Sequence, residues 1–170
     1  KKFFVFLLLL PCLLFSLSCQ AQINSSDLKK VEVFLVSPDK KKKIQLRLEV
    51  ADTEFTRMIG LMYREALPFA EGMIFLWPKD EVEPRSFWMR NTIIPLDMIF
   101  AENDDIVGIV HSAEPRTDTP RGVGSGSNIA IEINGGSMRK WEANENWSLE
   151  FPESLSKVYL SEQSSSSQSD

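Results

Sequence analysis

The segment from Phe87 to Phe100, FWMRNTIIPLDMIF, holds the groups best suited to chemistry in this chain. Trp88, Arg90, Asn91, Thr92 and Asp97 stand in a run otherwise apolar enough to be core. A carboxylate in PLDMIF is costly to bury unless a cation or several donors meet it. Alternation along a strand puts Phe87 and Met89 on one face, Trp88 and Arg90 on the other. In the next strand Leu96, Met98 and Phe100 share a face, leaving Asp97 and Ile99 opposite. Between Asn128 and Asn134, Ile129, Ile131 and Ile133 point one way and Asn128, Ala130, Glu132 and Asn134 the other. With these strands as neighbours in one sheet, Trp88, Arg90, Asp97 and Glu132 are expected to converge on a polar face. Asn91 and Thr92 then lie at its junction before Pro95, and Arg57 and Arg64 add positive charge.

An aromatic floor with carboxylates, an amide and arginine suits a saccharide or another polar ligand. Two carboxylates about 5–10 Å apart would also suit hydrolysis of a glycosidic bond in a polysaccharide. The same residues equally form an inert network, in which arginine–carboxylate pairs satisfy half-buried charge and fix strand register. Binding module, carboxylate-dependent hydrolase and purely structural envelope protein therefore stay open, with binding preferred to catalysis. Carboxylates open beside Trp88 would favour a site; carboxylates sealed by arginine would remove both functional readings. No residue is assigned a catalytic role.

Other chemistries find little. His111 is the single histidine, and a general base or metal site normally needs company. Ser125 and Ser127 lie in GVGSGS, which lacks the lysine of a phosphate loop and the histidine of a nucleophile elbow. It reads as a flexible loop after the extended stretch from Pro115 to Pro120. Met58, Met62, Met73, Met89 and Met98 could suggest copper, but they fall on apolar faces and read as core. No metal and no cofactor are expected.

The elements that position these groups are mainly strands. Ile44 to Val50 alternates cleanly, and Val31 to Val36 precedes it across a turn from Pro38 to Lys43. Further strands are predicted at Gly72 to Trp77, Arg85 to Arg90, Leu96 to Glu102, Ile106 to His111, Asn128 to Asn134 and Trp147 to Phe151. Phe55, Met58, Ile59 and Met62 recur at helical spacing, with Asp52 or Thr53 as cap. Ser137 to Trp141 suits at most a single turn. The expectation is a mostly β domain with one short α-helix, as a sandwich or partly closed barrel.

The chain opens KKFFVFLLLLPCLLFSLSCQ, which has the basic, apolar and small-residue regions of a secretory signal peptide over residues 1–18. Cys19 is then expected to be lipidated, tethering the protein to a membrane through residues 19–30. The domain is expected over 31–152, before a polar, serine-rich tail at 153–170 that reads as disordered. Both cysteines, Cys12 and Cys19, precede the domain, so no disulfide or thiolate site is expected within it. The chain has 19 basic and 24 acidic residues; without Lys1 and Lys2 the balance is 17 to 24, or −7. That excludes nucleic acid as an expected partner. The expected location is extracytoplasmic, in the periplasm or at the cell surface.

Three blocks carry a resemblance: GLMYREALPFAEGMIFLW, then FWMRNTIIPLDMIF, then IEINGG. In this order they resemble the signature blocks of the DUF192 (UPF0127) family over about Ile44 to Gly136. The resemblance implies an often exported domain, a compact β-sandwich of jelly-roll type with a small helix, and no established activity. The sequence departs from the family near its end. A Gly-Asp turn is replaced by Glu142 to Ser148, EANENWS.

Overall fold

The computed structural model describes residues 28–153 and Leu155. The leader, Cys19, most of the tether and most of the serine-rich tail lie outside the described residues. Strand β1 (Lys30–Val36) turns back into β2 (Lys43–Ala51), and a short α1 (Glu54–Ile59) follows. Next come β3 (Glu71–Leu76), β4 (Glu83–Phe87), β5 (Leu96–Glu102), β6 (Asp105–Ala113), β7 (Arg121–Ser127) and β8 (Ile129–Asn134). A helical turn α2 (Ser137–Trp141) and β9 (Ser148–Glu150) complete the fold.

Seven strands close into a barrel in the order β1-β2-β3-β8-β5-β6-β9, and β4 pairs with β7 in a separate two-stranded sheet. This corrects the jelly-roll sandwich. The short β9 pairs with β1 through Phe34↔Glu150 and with β6 through Asp105↔Ser148, so the main sheet keeps no open edge. The barrel interior is aliphatic. One row runs Val50, Ile74, Ile131, Ile99 and Ile109 across five strands. Met138, Trp147 and Leu155 also belong to this interior cluster, so the packed domain reaches Leu155.

Part of the barrel's outer face is buried as well. Met73, Phe75, Met98, Phe100 and Ala130 form a second cluster with Leu61, Met89 and Leu96. Phe87 of β4 covers it, with ring centroids 4.9 Å from Phe75 and 5.8 Å from Phe100. The barrel wall thus has apolar residues on both faces, as the unbroken burial of β5 from Leu96 to Ala101 reflects.

Three local expectations change. Arg121–Ser127 is a strand, not a loop. Its glycines bring it close to β4, where a Cβ on Gly122 would stand 2.3 Å from the Arg85 carbonyl oxygen. Among the described elements α2 is a second short helix, because Ser137–Trp141 forms a complete helical turn. Helix α1 starts as expected at Thr53, whose side chain forms a capping box with Thr56. It buries no residue, however, and Phe55 and Met58 are exposed instead of packed.

Gly72 sits where β3 meets β8, and an added Cβ would lie 2.0 Å from the Glu132 carbonyl oxygen. Backbone cannot yield there without opening the ladder. Gly72→Ala should therefore lower stability by about 3 kcal/mol or more, read from the urea midpoint at unchanged slope.

Candidate functional site

The register decides where the two carboxylates go. Asp97 pairs with Ile133, and its neighbour Met98 pairs with Glu132. That offset of one residue puts Asp97 and Glu132 on opposite faces of the sheet. The expected convergence of the two is thereby overturned, and with it a hydrolase that uses them as its acid–base pair.

Asp97 is fully buried on the inner face, at the end of the barrel under α2. Oδ1 accepts from the backbone N–H of Ser112 at 2.8 Å and of Gly136 at 2.9 Å. Oδ2 accepts from Met138 N–H at 2.8 Å. Among the described residues no arginine is paired with it. Three amides replace water around the charge, which is what a buried carboxylate requires. They also fix the β6 bulge at Ser112 (φ 47°) and the left-handed Gly136 (φ 84°) that starts α2. Asp97 is sealed, as the structural reading required, but by backbone instead of arginine.

Glu132 faces outward in a row that runs Glu49, Met73, Glu132, Met98, Val110. It is 5% exposed, and among the described residues its carboxyl has no hydrogen bond or ion pair. Burial alone pushes its pKa from 4.5 up to about 8. Glu49, two strands further along, is buried too but meets both terminal nitrogens of the Arg64 guanidinium, Nη1 at 2.8 Å from Oε1. Arg64 is therefore committed to Glu49, a residue that alternation in β2 had left on the solvent face. Arg57 caps backbone instead of charge, donating to the carbonyls of Asp52 and Leu76.

Of the remaining predicted residues, Trp88, Arg90 and Asn91 form an exposed surface at the turn after β4, with Thr92 buried beneath it. Trp88 is 43% exposed, and the Arg90 guanidinium lies 4.3 Å from its ring centroid. Arg90 Nε donates to Asp118 at 2.8 Å, and that pairing holds the Asp118 carboxyl below its ordinary range. Asn91 adopts φ 59°, and its carbonyl accepts from Tyr63 N–H at 2.8 Å. Thr92 is buried, and its carbonyl and that of Met89 accept from Arg116 N–H. Tyr63 is 69% exposed. The structure thus brings Trp88, Arg90, Asn91 and Thr92 together and adds Tyr63 and Asp118. It excludes Asp97 from that surface. Neither added residue was legible in strand periodicity, because both lie in irregular segments.

Two other features stand apart. His111 Nδ1 is buried without a hydrogen-bond partner among the described residues. A cavity of about 330 Å³ opens at the far end of β5, between Leu76, Asn103, Asn128, Ile129 and Leu155. None of the predicted site residues lines it.

The DUF192 family model, described as an uncharacterized ACR, matches residues 35–151. The chain belongs to the DUF192 family. Two crystal structures show what this DUF192 domain is similar to. One, a candidate transcription regulator from Sinorhizobium meliloti, is 29% identical with a TM-score of 0.69 over 73% of this chain and 95% of that one. The other, a protein of unknown function from Novosphingobium aromaticivorans, is 34% identical with a TM-score of 0.68 over 74% of this chain and 88% of that one. Among curated proteins there is no match.

Two expected outcomes follow from the carboxyls of this DUF192 domain. Asp97→Asn replaces one acceptor with an amide N–H₂ that faces a backbone donor, and should cost about 2–4 kcal/mol in urea denaturation. Glu132 acts through pH. The unfolded chain ionises it near 4.5 and the folded chain near 8, so the folded state keeps the extra proton between. Stability should fall by roughly 3–5 kcal/mol as pH rises through that window, then level off. Denaturation from pH 5 to 9 should show this slope in the wild type and lose it in Glu132→Gln.

Proposed function

We propose that this DUF192 domain is a non-catalytic binding module of the cell envelope, taking a saccharide or similar polar ligand on the surface around Trp88. The observation that carries the reading is the half-exposed indole of Trp88 braced by Arg90 beside the exposed Tyr63. A sugar ring offers an apolar side for an aromatic face, and hydroxyls for planar amide, guanidinium and carboxylate groups. Asn91, Arg90 and Asp118 supply those three types around the turn. Among the described residues the Asn91 amide meets only the Met62 sulfur, at 3.9 Å, and so keeps its hydrogen-bonding capacity for a ligand.

The envelope address rests on the opening sequence. Its basic and apolar regions lead to Cys19, whose lipidation would hold the domain at a membrane surface in the periplasm or outside the cell. The acidic balance keeps nucleic acid out of the proposal.

The test is thermal stabilisation against peptidoglycan fragments and neutral and acidic oligosaccharides. A ligand at ten times its Kd should stabilise the fold by about 1.4 kcal/mol. Trp88→Ala should abolish that gain while changing the ligand-free stability by less than about 0.5 kcal/mol, as an exposed position would. A flat response across the panel overturns the binding reading in favour of a structural envelope role.

A further inference from the structure

A buried polar group without a hydrogen bond is rare enough to need a cause, and an ion is one of the usual causes. Glu132, 5% exposed and with no side-chain hydrogen bond or ion pair among the described residues, comes near to such a group, and its surroundings are specific. The β ladder places it directly between Met73 of β3 and Met98 of β5. Paired residues in adjacent strands lie about 4.5–5.5 Å apart at Cα and send their side chains to the same face. Met73 and Met98 are 1% and 0% exposed. Met89, also 0% exposed, belongs to the same outer cluster and comes from the segment laid over that face.

We propose that Met73, Met89, Met98 and Glu132 form a binding site for a soft monovalent metal ion, Cu(I). Thioethers are soft ligands that select Cu(I) over harder divalent ions. Binding displaces the Glu132 carboxyl proton to solvent, and the carboxylate then supplies the single negative charge that balances a monovalent ion in an apolar layer. Methionine is unbranched, with three rotatable bonds, so its sulfur can swing toward an ion without moving the strand. Among the described residues no cluster of three or more His, Cys, Asp or Glu is placed to hold a metal, so a harder ion finds no comparable set.

The methionines also mark a route in. Met62 lies at the seam where Tyr63 N–H meets the Asn91 carbonyl, with its sulfur 3.9 Å from Asn91 Nδ2. Met58, four residues earlier, is 56% exposed. Met58 at the surface and Met62 at the seam, which meets the Met89 segment through Asn91, would offer an incoming ion its first thioethers. Only Met138, inside the barrel, stands outside this set of the chain's six methionines.

The test uses the full chain with Cys12→Ser and Cys19→Ser, so that no thiol competes. Cu(I) is titrated under reducing conditions against a chromogenic chelator, and Ag(I) serves as a redox-inert probe for NMR of the methionine methyl groups. Stoichiometric binding is expected, with the Met73, Met89 and Met98 methyl resonances shifted and that of Met138 unchanged. Met73→Leu with Met98→Leu conserves volume, and should weaken binding at least about tenfold while the protein stays folded. Glu132→Gln should weaken it similarly while keeping all the sulfurs. Absence of stoichiometric binding overturns the proposal. So does binding that shifts only Met58 and Met62, or that survives the double leucine variant.

Discussion

The fold depends on how one buried charge is satisfied. Asp97 sits on the inner face of the barrel wall, where water cannot solvate it. Amides from the β6 bulge and from the start of α2 converge on its two oxygens. Two of those amides come from left-handed backbone, at Ser112 and Gly136, and the third, Met138 N–H, lies in the first turn of α2, where a helix leaves its amides without an internal partner. The carboxylate gives that irregularity a reason: an unmet donor or an unmet charge would each be costly in this interior. Met138, held by the same contact, then joins the interior cluster, so the charge also positions the hydrophobic plug above it.

Once Asp97 points inward, Met98 and Phe100 must point outward. The outer face then has to be covered, and the β4–β7 sheet and the segments around Leu61 and Met89 cover it. Two carboxyls share this layer and are treated differently. Glu49 is met by the Arg64 fork, a geometry that arginine provides and lysine does not. Glu132 has no comparable partner, and stands out as the position in the layer not explained by packing. The display of polar chemistry is left to the turn after β4, where Trp88, Arg90 and Asp118 are supported by each other instead of by the core.

The period of two made most strands legible, and it correctly grouped Leu96, Met98 and Phe100 apart from Asp97 and Ile99. It could not say which face of β5 matches which face of β8. Parity within a strand is local, whereas register between strands is a tertiary property, and a shift of one residue exchanges the faces. The same limit hid Glu49, whose alternation with Leu48 resembles an ordinary solvent-facing position. Strand β7 was missed for another reason. In GVGSG the pairing relies on the absence of side chains, and an absent side chain leaves no hydropathy pattern. Helix α1 showed the opposite failure: an apolar period was present, but Phe55 and Met58 remain in solvent. Barrel closure depended on β9, three residues long and too short to reveal two partners.

That small strand also governs the order in which the molecule can be assembled. Phe34 near the start of the domain pairs with Glu150 near its end, and β2 and β3 run parallel, so the ladder is built largely from distant segments. Such topologies fold slowly, because loop closure must precede the contacts that reward it. A chain emerging from a ribosome cannot complete this ring until its last strand has been made. Until then its aliphatic interior rows lack their final partner, and nascent chains must be kept apart or kept extended. The ring therefore favours folding only after β9 has emerged, with its two sequence-distant ends brought together in the closing step.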